Sequence, residues 1–323
     1  MAIAESAAAG GRIVTIGEIL VEIMATQPGD GFRAPIELTG PYPSGAPAIF
    51  IDQVAKLGQP CAIISCVGDD DFGWVNIDRL KRDGCDVSGI EVRDDQVTGS
   101  AFVRYTTSGD RNFVFNIRNS AAGQTRVTEA AAALLADCAH LHVMGSSLSS
   151  ASLIRETQEA VAAVKGRGGT ISFDPNVRKE ILGAPDVLQA ISYMLSACDI
   201  FMPSGAELTM LTEAKTEAAA IAEILGRGIT AVVVKRGAEG ASYHDSTQDR
   251  RIAGFAVTEL DPTGAGDCFG ATFVTCRLQG RPIADCLRYA AASGALAVTR
   301  RGPMEGTSSF AELDALIGEG AVQ

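Results

Sequence analysis

The sequence predicts an α/β fold in which helices cover both faces of a mostly parallel central sheet. From about residue 128 onward, short apolar runs alternate with amphipathic segments, a pattern typical of parallel strands joined by helices. The chain has 323 residues, of which 46% are hydrophobic and 20% are charged. This length fits one large domain with or without a small appendage, and the composition fits a globular protein.

The N-terminal part predicts two strands and an excursion from the main body. Residues 1–11 are rich in alanine and predict a disordered tail, and Arg12–Gly17 predicts a buried strand. Glu18–Met24 alternates in polarity, which predicts a half-exposed strand with Glu18 and Glu22 on one face. The Gly- and Pro-rich residues 25–43 predict a loose β excursion.

A helix, a strand and a second helix come next. Pro47 and Gly58 mark the ends of a helix that runs to Lys56. Cys61–Val67 predicts an apolar strand, and the acidic triplet at 69–71 favours the start of a helix that ends near Gly84. A metal site at this triplet is the alternative.

The remaining chain predicts a hairpin followed by strand–helix alternation. The hairpin joins Thr98–Tyr105 to Arg111–Arg118. Predicted helices are 128–136, 150–166, 185–196, 205–212 and 216–226, and predicted strands are 139–144, 169–174, 198–202 and 230–235. We therefore expect one domain over residues 12–323, with a β lid drawn from about 18–43 and 97–118.

Charge and cysteine usage exclude several classes of partner. The net charge is −12, which argues against nucleic acid and anionic membrane as partners. No apolar run reaches membrane-spanning length. The eight cysteines form no CxxC pair and lie in apolar runs, which favours free thiols in a reducing cytoplasm. His140 and His142 alternate in a strand-like run, which favours a structural role in the core over metal binding.

The stretch Asp261–Gly270 is the main candidate for a catalytic site. Its Gly264, Ala265 and Gly266 run into an amphipathic segment, so the beginning of a helix would present bare N–H groups to an anion. Asp267 lies inside this anion site. It is either a general base that takes a proton from a hydroxyl nucleophile or a residue that caps the helix.

Three further groups follow predicted strands, where ligands collect in open α/β sheets. Asp174 and Arg178 follow one strand, and Arg178 is a candidate for holding a phosphate or a substrate oxygen. Glu207 is a candidate for holding a magnesium-bound water or for starting a helix. The loop Lys235–Gly240 permits close approach of a nucleotide and carries two cations.

Taken together, these motifs resemble the ribokinase-like (PfkB) carbohydrate kinase family. The stretch Asp261–Phe269, Asp-Pro-Thr-Gly-Ala-Gly-Asp-Cys-Phe, matches the C-terminal signature of that family. Supporting segments occur in family order over residues 12–307: Ser44–Ala48, Leu57-Gly58, Val67–Asp70, Phe173–Arg178, Val234–Gly237 and Ala295–Val298. The resemblance implies a three-layer α/β/α fold with a small β lid that often also forms the dimer contact.

The resemblance also implies roles for individual residues. Asp267 would be the general base on the sugar hydroxyl, and the N–H groups of Gly264–Asp267 would hold the charge of the transferring phosphoryl group. Mg²⁺ would bridge the phosphates of ATP near Glu207, and many members bind K⁺ near the anion loop. The residues expected at the nucleotide are Lys235, Gly237, Gly240, Thr263, Gly264 and Gly266.

Departures from the family pattern concern the sugar. Ser44-Gly45 stands in place of the usual Gly-Gly, Ile49 in place of an asparagine, and Glu22 in place of the lid aspartate. Ser204 and Ala291 also replace asparagines. Because a buried polar group left unpaired costs about 1–3 kcal/mol, these changes predict an active kinase with a shifted sugar preference.

Several substrates remain open. The segments Gly17–Met24 and Pro43–Phe50 resemble tagatose-kinase-like members, so a ketohexose of the tagatose or fructose type is expected. The alternative is 2-keto-3-deoxygluconate, whose carboxylate would need Arg118 and Arg178. A catalytically silent sugar-binding or regulatory protein is the alternative from another class. Sugar and ATP are thus the expected partners of a cytoplasmic homodimer.

Overall fold

The computed structural model describes residues 11–108, 110–176 and 185–320. The expected tail falls almost wholly on residues 1–10, outside the described residues. The strands are β1 Arg12–Ile16, β2 Leu20–Ala25, β3 Leu38–Ser44, β4 Cys61–Gly68, β5 Ile90–Arg93, β6 Gly99–Tyr105, β7 Arg111–Asn116, β8 Cys138–Met144, β9 Thr170–Asp174, β10 Ile200–Phe201, β11 Ala231–Lys235, β12 Ala241–His244 and β13 Asp249–Ile252. The helices are α1 Ala46–Lys56, α2 Asp71–Asp83, α3 Glu129–Ala136, α4 Ala151–Lys165, α5 Pro185–Ala197, α6 Gly205–Met210, α7 Glu217–Gly226, α8 Ala265–Leu278, α9 Ile283–Ala297 and α10 Phe310–Gly320.

A large, mostly parallel sheet forms the body of the molecule. Within the described residues its strand order is β13-β12-β11-β10-β9-β8-β1-β4-β5. The strands from β11 to β5 pair in parallel, whereas β12 and β13 pair antiparallel at one edge. This is the predicted fold class, and it brings the carboxyl ends of β9, β10 and β11 to one edge of the sheet.

The two faces of this sheet carry separate apolar cores. Ile13 belongs to the cluster that α1, α8 and α9 cover, whereas its neighbour Val14 belongs to the cluster that α4, α5 and α7 cover. Successive strand residues point to opposite faces, so both faces need apolar side chains and a helical cover. The result is a three-layer α/β/α arrangement.

A second, smaller sheet of order β3-β2-β6-β7 lies beside the main body. Its two halves come from residues far apart in sequence. The parallel pairing of β2 with β6 joins the halves, and within each half β3 and β7 pair antiparallel to their neighbours. We call these four strands the lid. They arise from the excursion and the hairpin that the sequence indicated.

The prediction of a half-exposed strand at Glu18–Met24 was wrong. Glu18, Leu20 and Glu22 do share one face, but Ile19 and Val21 on the other face are also fully buried. The face with Glu18, Leu20 and Glu22 lines a cavity, and the face with Ile19 packs on the main body, so both faces are shielded from solvent. The sequence pattern identified the two faces and misjudged their environment.

The predictions of a helix start at the acidic triplet and of a core role for two histidines are confirmed. Asp70 of the acidic triplet caps α2 by accepting a hydrogen bond from the Gly73 N–H at 2.8 Å. His140 and His142 are buried and both bond to Ser172 Oγ. The strands β5, β12 and β13 were not anticipated. In the part of the chain that the structure describes, no helix has the length and apolar character needed to cross a membrane.

Candidate active site

A cavity of about 530 Å³ lies between the lid and the carboxyl ends of the central strands. The lid and the residues next to it supply one wall, and the ends of β9 and β11 together with the beginning of α8 supply the other. Its lining comprises Glu18, Leu20, Glu22, Ser44, Gly45, Ala46, Ile49, Ala101, Arg111, Phe113, Phe115, Asp174, Asn176, Ser204, Glu207, Lys235, Gly237, Pro262, Thr263, Gly264, Gly266 and Asp267. This is the edge at which parallel sheets bind ligands.

The beginning of α8 faces the cavity. Gly264 precedes the helix with φ of +86°, and a Cβ atom there would lie 2.6 Å from the carbonyl oxygen of Pro303, so only glycine fits. The first N–H groups of any helix lack acceptors within the helix, and here they lie at the cavity wall. Asp267 belongs to this first turn, is 8% exposed and lines the cavity. The predicted anion site and the predicted base are therefore adjacent.

An ion pair at the ends of two central strands adds a largely buried cation. Lys235 ends β11, and its ammonium group pairs with the carboxylate of Asp174 at the end of β9. Burial lowers the pKa of Lys235, but the charges of Asp174, Glu207 and Asp267 outweigh it, so this pKa lies above its ordinary value. Burial raises the pKa of Asp174, against the opposing effect of Lys235. Lys235 is thus a protonated cation. It lies near the predicted anion site, because a Cβ on Gly266 would be 3.5 Å from its Nζ.

Glu207 plays the capping role that the sequence offered as one of two readings. Its carboxylate accepts hydrogen bonds from the Ser204 N–H at 2.6 Å and the Ser204 hydroxyl at 2.8 Å, and the two residues form a capping box at the start of α6. It also lines the cavity, as Asp174 does. Among the described residues, no three His, Cys, Asp or Glu side chains are grouped to hold a metal. Because Mg²⁺ is commonly held by one or two carboxylates, water and substrate phosphates, this wall fits such an ion.

The lid side of the cavity carries two buried carboxylates. Glu22 projects from β2, and Glu18 just before β2 accepts hydrogen bonds from Ser146 Oγ at 2.9 Å and Ser147 Oγ at 2.5 Å. Gly45 also lines this wall with φ of +111°, and a Cβ there would be 2.4 Å from the Glu18 carbonyl oxygen. Ser44 is also buried at this wall. The chain therefore packs tightly around a row of hydrogen-bond acceptors.

The hairpin strand β7 contributes residues that the sequence analysis missed. Arg111, Phe113 and Phe115 line the cavity. The two phenylalanine rings stack with centroids 4.8 Å apart, and the Arg111 guanidinium lies 5.5 Å from the Phe113 centroid. Their spacing of two residues places them on one face of the strand, which was the available signal.

Some predicted residues do not reach this cavity. Arg118 is exposed beyond the end of β7 and is not part of the lining, whereas Arg111 of the same hairpin is. Gly240 is also outside the lining, where a Cβ would lie 2.0 Å from the Ile252 carbonyl oxygen. Ala265 begins α8 between two lining glycines. Arg178 lies outside the described residues.

Comparisons with known proteins agree with this geometry. Residues 11–309 match the model of the pfkB family of carbohydrate kinases. A fructokinase of Vibrio alginolyticus is 31% identical over 284 residues, covering 86% of this chain and 92% of that protein. A 2-dehydro-3-deoxygluconokinase of Bacillus subtilis is 31% identical over 259 residues, covering 78% of this chain and 79% of that protein.

A solved structure shares both fold and sequence. An Escherichia coli protein provisionally named ribokinase II, crystallised in complex with ATP and Mg²⁺, superimposes with a TM-score of 0.91. It is 51% identical, and the match covers 96% of this chain and 99% of that one. The similarity therefore extends over the lid, the central sheet and the cavity between them.

Proposed function

Since the chain belongs to the pfkB family of carbohydrate kinases and is an ATP-dependent carbohydrate kinase, we propose that it phosphorylates a ketohexose of the tagatose or fructose type. The observation that carries this proposal is the position of Asp267. A buried carboxylate in the first turn of a helix that follows a glycine lines a cavity between the lid and the strand ends. This arrangement supports the proposal that Asp267 is a proton acceptor beside an anion site.

In the proposed reaction, the Asp267 carboxylate takes the proton of a sugar hydroxyl as the oxygen attacks the γ-phosphorus of ATP. The bond between the γ-phosphorus and the bridging oxygen breaks, and ADP leaves. N–H groups of Gly264–Asp267 hold the negative charge on the transferring phosphoryl group. Lys235 adds a fixed positive charge at the same wall.

We assign the nucleotide to the wall formed by Lys235, Gly237, Thr263, Gly264 and Gly266, all of which line the cavity. Bound Mg²⁺ would neutralise phosphate charge, and Asp174 and Glu207 are the carboxylates available to hold its waters. A requirement for K⁺ near the anion loop remains a prediction from the family resemblance. Comparing rates in potassium and sodium salts would test it.

The polarity of the sugar wall supports a neutral substrate. Glu18, Glu22 and Ser44 present acceptors, and carboxylates accept hydrogen bonds from sugar hydroxyls but repel a second carboxylate. Leu20 and Phe115 add apolar surface that suits the C–H face of a sugar ring. We therefore place the ketohexose between this wall and Asp267.

A second candidate substrate is 2-keto-3-deoxygluconate. The specific observation in its favour is Arg111, a cation in the cavity lining that could pair with the carboxylate of a sugar acid. The Bacillus subtilis relative carries the name of such a kinase. Arg118, which the sequence analysis assigned to this role, lies outside the lining. The catalytically silent alternative lacks support, because family membership and Asp267 both indicate catalysis.

Location and assembly complete the proposal. All eight cysteines are buried and free, which fits a reducing cytoplasm. The outer strands of the lid expose Leu38 and Val114, and we propose these edges as the contact of a homodimer. Sedimentation of the purified protein would test the dimer.

The test of the substrate is ADP release with Mg-ATP across tagatose, fructose, psicose, sorbose, ribose, adenosine and 2-keto-3-deoxygluconate. Turnover confined to neutral ketohexoses is the expected result. Turnover with the sugar acid alone would transfer the assignment to the second candidate, and an Arg111→Gln variant should then lose that activity. The absence of sugar-dependent turnover across the whole panel would contradict both.

A further inference from the structure

Asp261 joins three separate parts of the molecule. This carboxylate is 1% exposed and lies six residues before Asp267. Its Oδ1 accepts hydrogen bonds from the Thr263 N–H at 3.0 Å and the Tyr105 hydroxyl at 2.8 Å, and its Oδ2 accepts one from the Gly302 N–H at 3.0 Å. The anion loop, the lid and the segment after α9 therefore meet at one side chain.

Tyr105 is the lid residue in this junction, and it lies 156 positions before Asp261 in the sequence. It ends β6 on the same face as Ala101, which lines the cavity, so the strand directs Tyr105 toward the main body. Its carbonyl oxygen accepts the Gly29 N–H at 2.8 Å, which fixes the backbone at this end of the lid. The Tyr105 side chain therefore extends from a backbone position that is held by a hydrogen bond.

A second lid tyrosine packs at the same junction. Gly302 has φ of +109°, and a Cβ there would lie 2.7 Å from the ring of Tyr42 in β3. The segment that donates to Asp261 therefore also supports a lid side chain. Burial and the Asp261 charge raise the pKa of Tyr105, so its hydroxyl stays a donor at neutral pH.

We propose that Tyr105 is a positioning residue that fastens the lid to the anion loop through Asp261, so that the sugar wall is held at a fixed distance from Asp267. A hydrogen bond to a charged group is stronger than a neutral one, and this bond is a direct polar link from β6 to the loop. Without it, the lid spends less time in the arrangement that binds sugar. This inference rests on the proposed sugar kinase activity.

The test compares Tyr105→Phe with wild type and with Tyr243→Phe. The control removes an equivalent bond, from the Tyr243 hydroxyl to Asp245 Oδ2 at 2.6 Å, on β12 away from the cavity lining. Because a less populated competent state raises the apparent dissociation constant, the KM for sugar should rise about tenfold in Tyr105→Phe. We expect kcat at saturating sugar to fall less than threefold, because bound sugar draws the lid back.

Hydrogen exchange gives a readout that needs no turnover. Amides of β6 and β7 should exchange faster in Tyr105→Phe than in wild type, while Tyr243→Phe leaves them unchanged. Unchanged exchange and unchanged sugar KM in Tyr105→Phe would overturn the inference, as would equal effects in the control. Failure of the proposed function would instead appear as a wild-type protein that is inactive with every sugar.

Discussion

Lys235 shows how one side chain serves both the fold and the site. Its ammonium group pairs with the buried carboxylate of Asp174, and it also lines the cavity near Gly266. A buried ion pair contributes little net stability, yet removing one partner leaves an uncompensated charge. Its value therefore lies in holding a positive charge beside the anion loop.

We predict that Lys235→Met lowers kcat/KM for ATP by about 10- to 100-fold, because it removes a charge that stabilises the transferring phosphoryl group. It should also destabilise the protein by about 3–5 kcal/mol, since Asp174 stays buried without its cation. Steady-state kinetics and urea unfolding measure the two effects.

Arg236→Met is the matched control for this change. Arg236 is adjacent in the same loop, but its guanidinium pairs with Glu217 and donates to Ser242 Oγ. Its kcat/KM for ATP should stay within about threefold of wild type. Equal losses in the two variants would show that the loop, rather than the Lys235 charge, is what matters.

The sequence indicated some residues of the candidate site and missed others for physical reasons. The turn at Gly264 and the helix that follows it were predictable, because the glycines and Asp267 are contiguous and their conformation is a local property. The pairing of Lys235 with Asp174 was not, since it depends on which strands lie side by side. Arg111 was missed and Arg118 chosen because the face of β7 that meets the cavity depends on the lid register.

The beginning of α8 is the element that we propose as the anion site. Gly264 supplies a left-handed conformation that other residues adopt rarely, and its position against Pro303 leaves no room for a Cβ. The helix then starts with a hydrogen bond from the Cys268 N–H to the Gly264 carbonyl at 2.8 Å. Backbone geometry, rather than side chains, sets where the N–H groups lie.

Gly264→Ala should therefore lower kcat by about 100-fold or more, because the added carbon displaces the donors of the anion site. Gly280→Ala is the control at the other end of α8. It has φ of +72° but open space around a Cβ, so it imposes backbone strain without a clash. Its kcat should match wild type, and a similar loss of kcat there would contradict the geometric argument.

A buried polar network ties α1 and α2 to the segment before α10. Asp52 is fully buried in α1, and its Oδ2 accepts bonds from Arg79 of α2 at 3.2 Å and the Thr307 hydroxyl at 2.8 Å. Burial raises the pKa of Asp52 to about 7, even though Arg79 opposes this shift. Asp83 also bonds to Arg79 and competes for its charge.

This raised pKa predicts how stability depends on pH. Between about pH 4 and 7 the unfolded chain loses the Asp52 proton while the folded protein retains it, so the folded state is favoured less as pH rises. The free energy of unfolding of wild type should fall across this window relative to that of Asp52→Asn, which cannot titrate. Urea unfolding at several pH values measures the difference, and a difference that rises with pH would contradict the assignment.

The whole molecule combines a body built on a mostly parallel sheet with a lid built from two distant pieces of chain. The sequence predicted the body well, since strand–helix alternation is a local signal. It could not predict that β2 pairs with β6, nor that the hydroxyl of Tyr105 reaches Asp261, because both depend on contacts between distant residues. The burial of both faces of β2 follows from the same lid closure and was misjudged for the same reason.

Lid and body enclose the cavity that Asp267 lines, and in the proposed reaction the body binds the phosphates while the lid binds the sugar. Asp267→Asn keeps the shape but removes the proton acceptor. Asp285→Asn is the control, since Asp285 is an exposed first-turn residue of the neighbouring helix α9.

The most direct measurement is sugar-dependent ADP release by wild type, Asp267→Asn and Asp285→Asn, each checked for ATP binding. We predict that Asp267→Asn binds ATP but loses about 10²- to 10⁴-fold in kcat, the range of general base catalysis, while Asp285→Asn matches wild type. An Asp267→Asn protein that turns over sugar near the wild-type rate would contradict the assignment of Asp267 as the base.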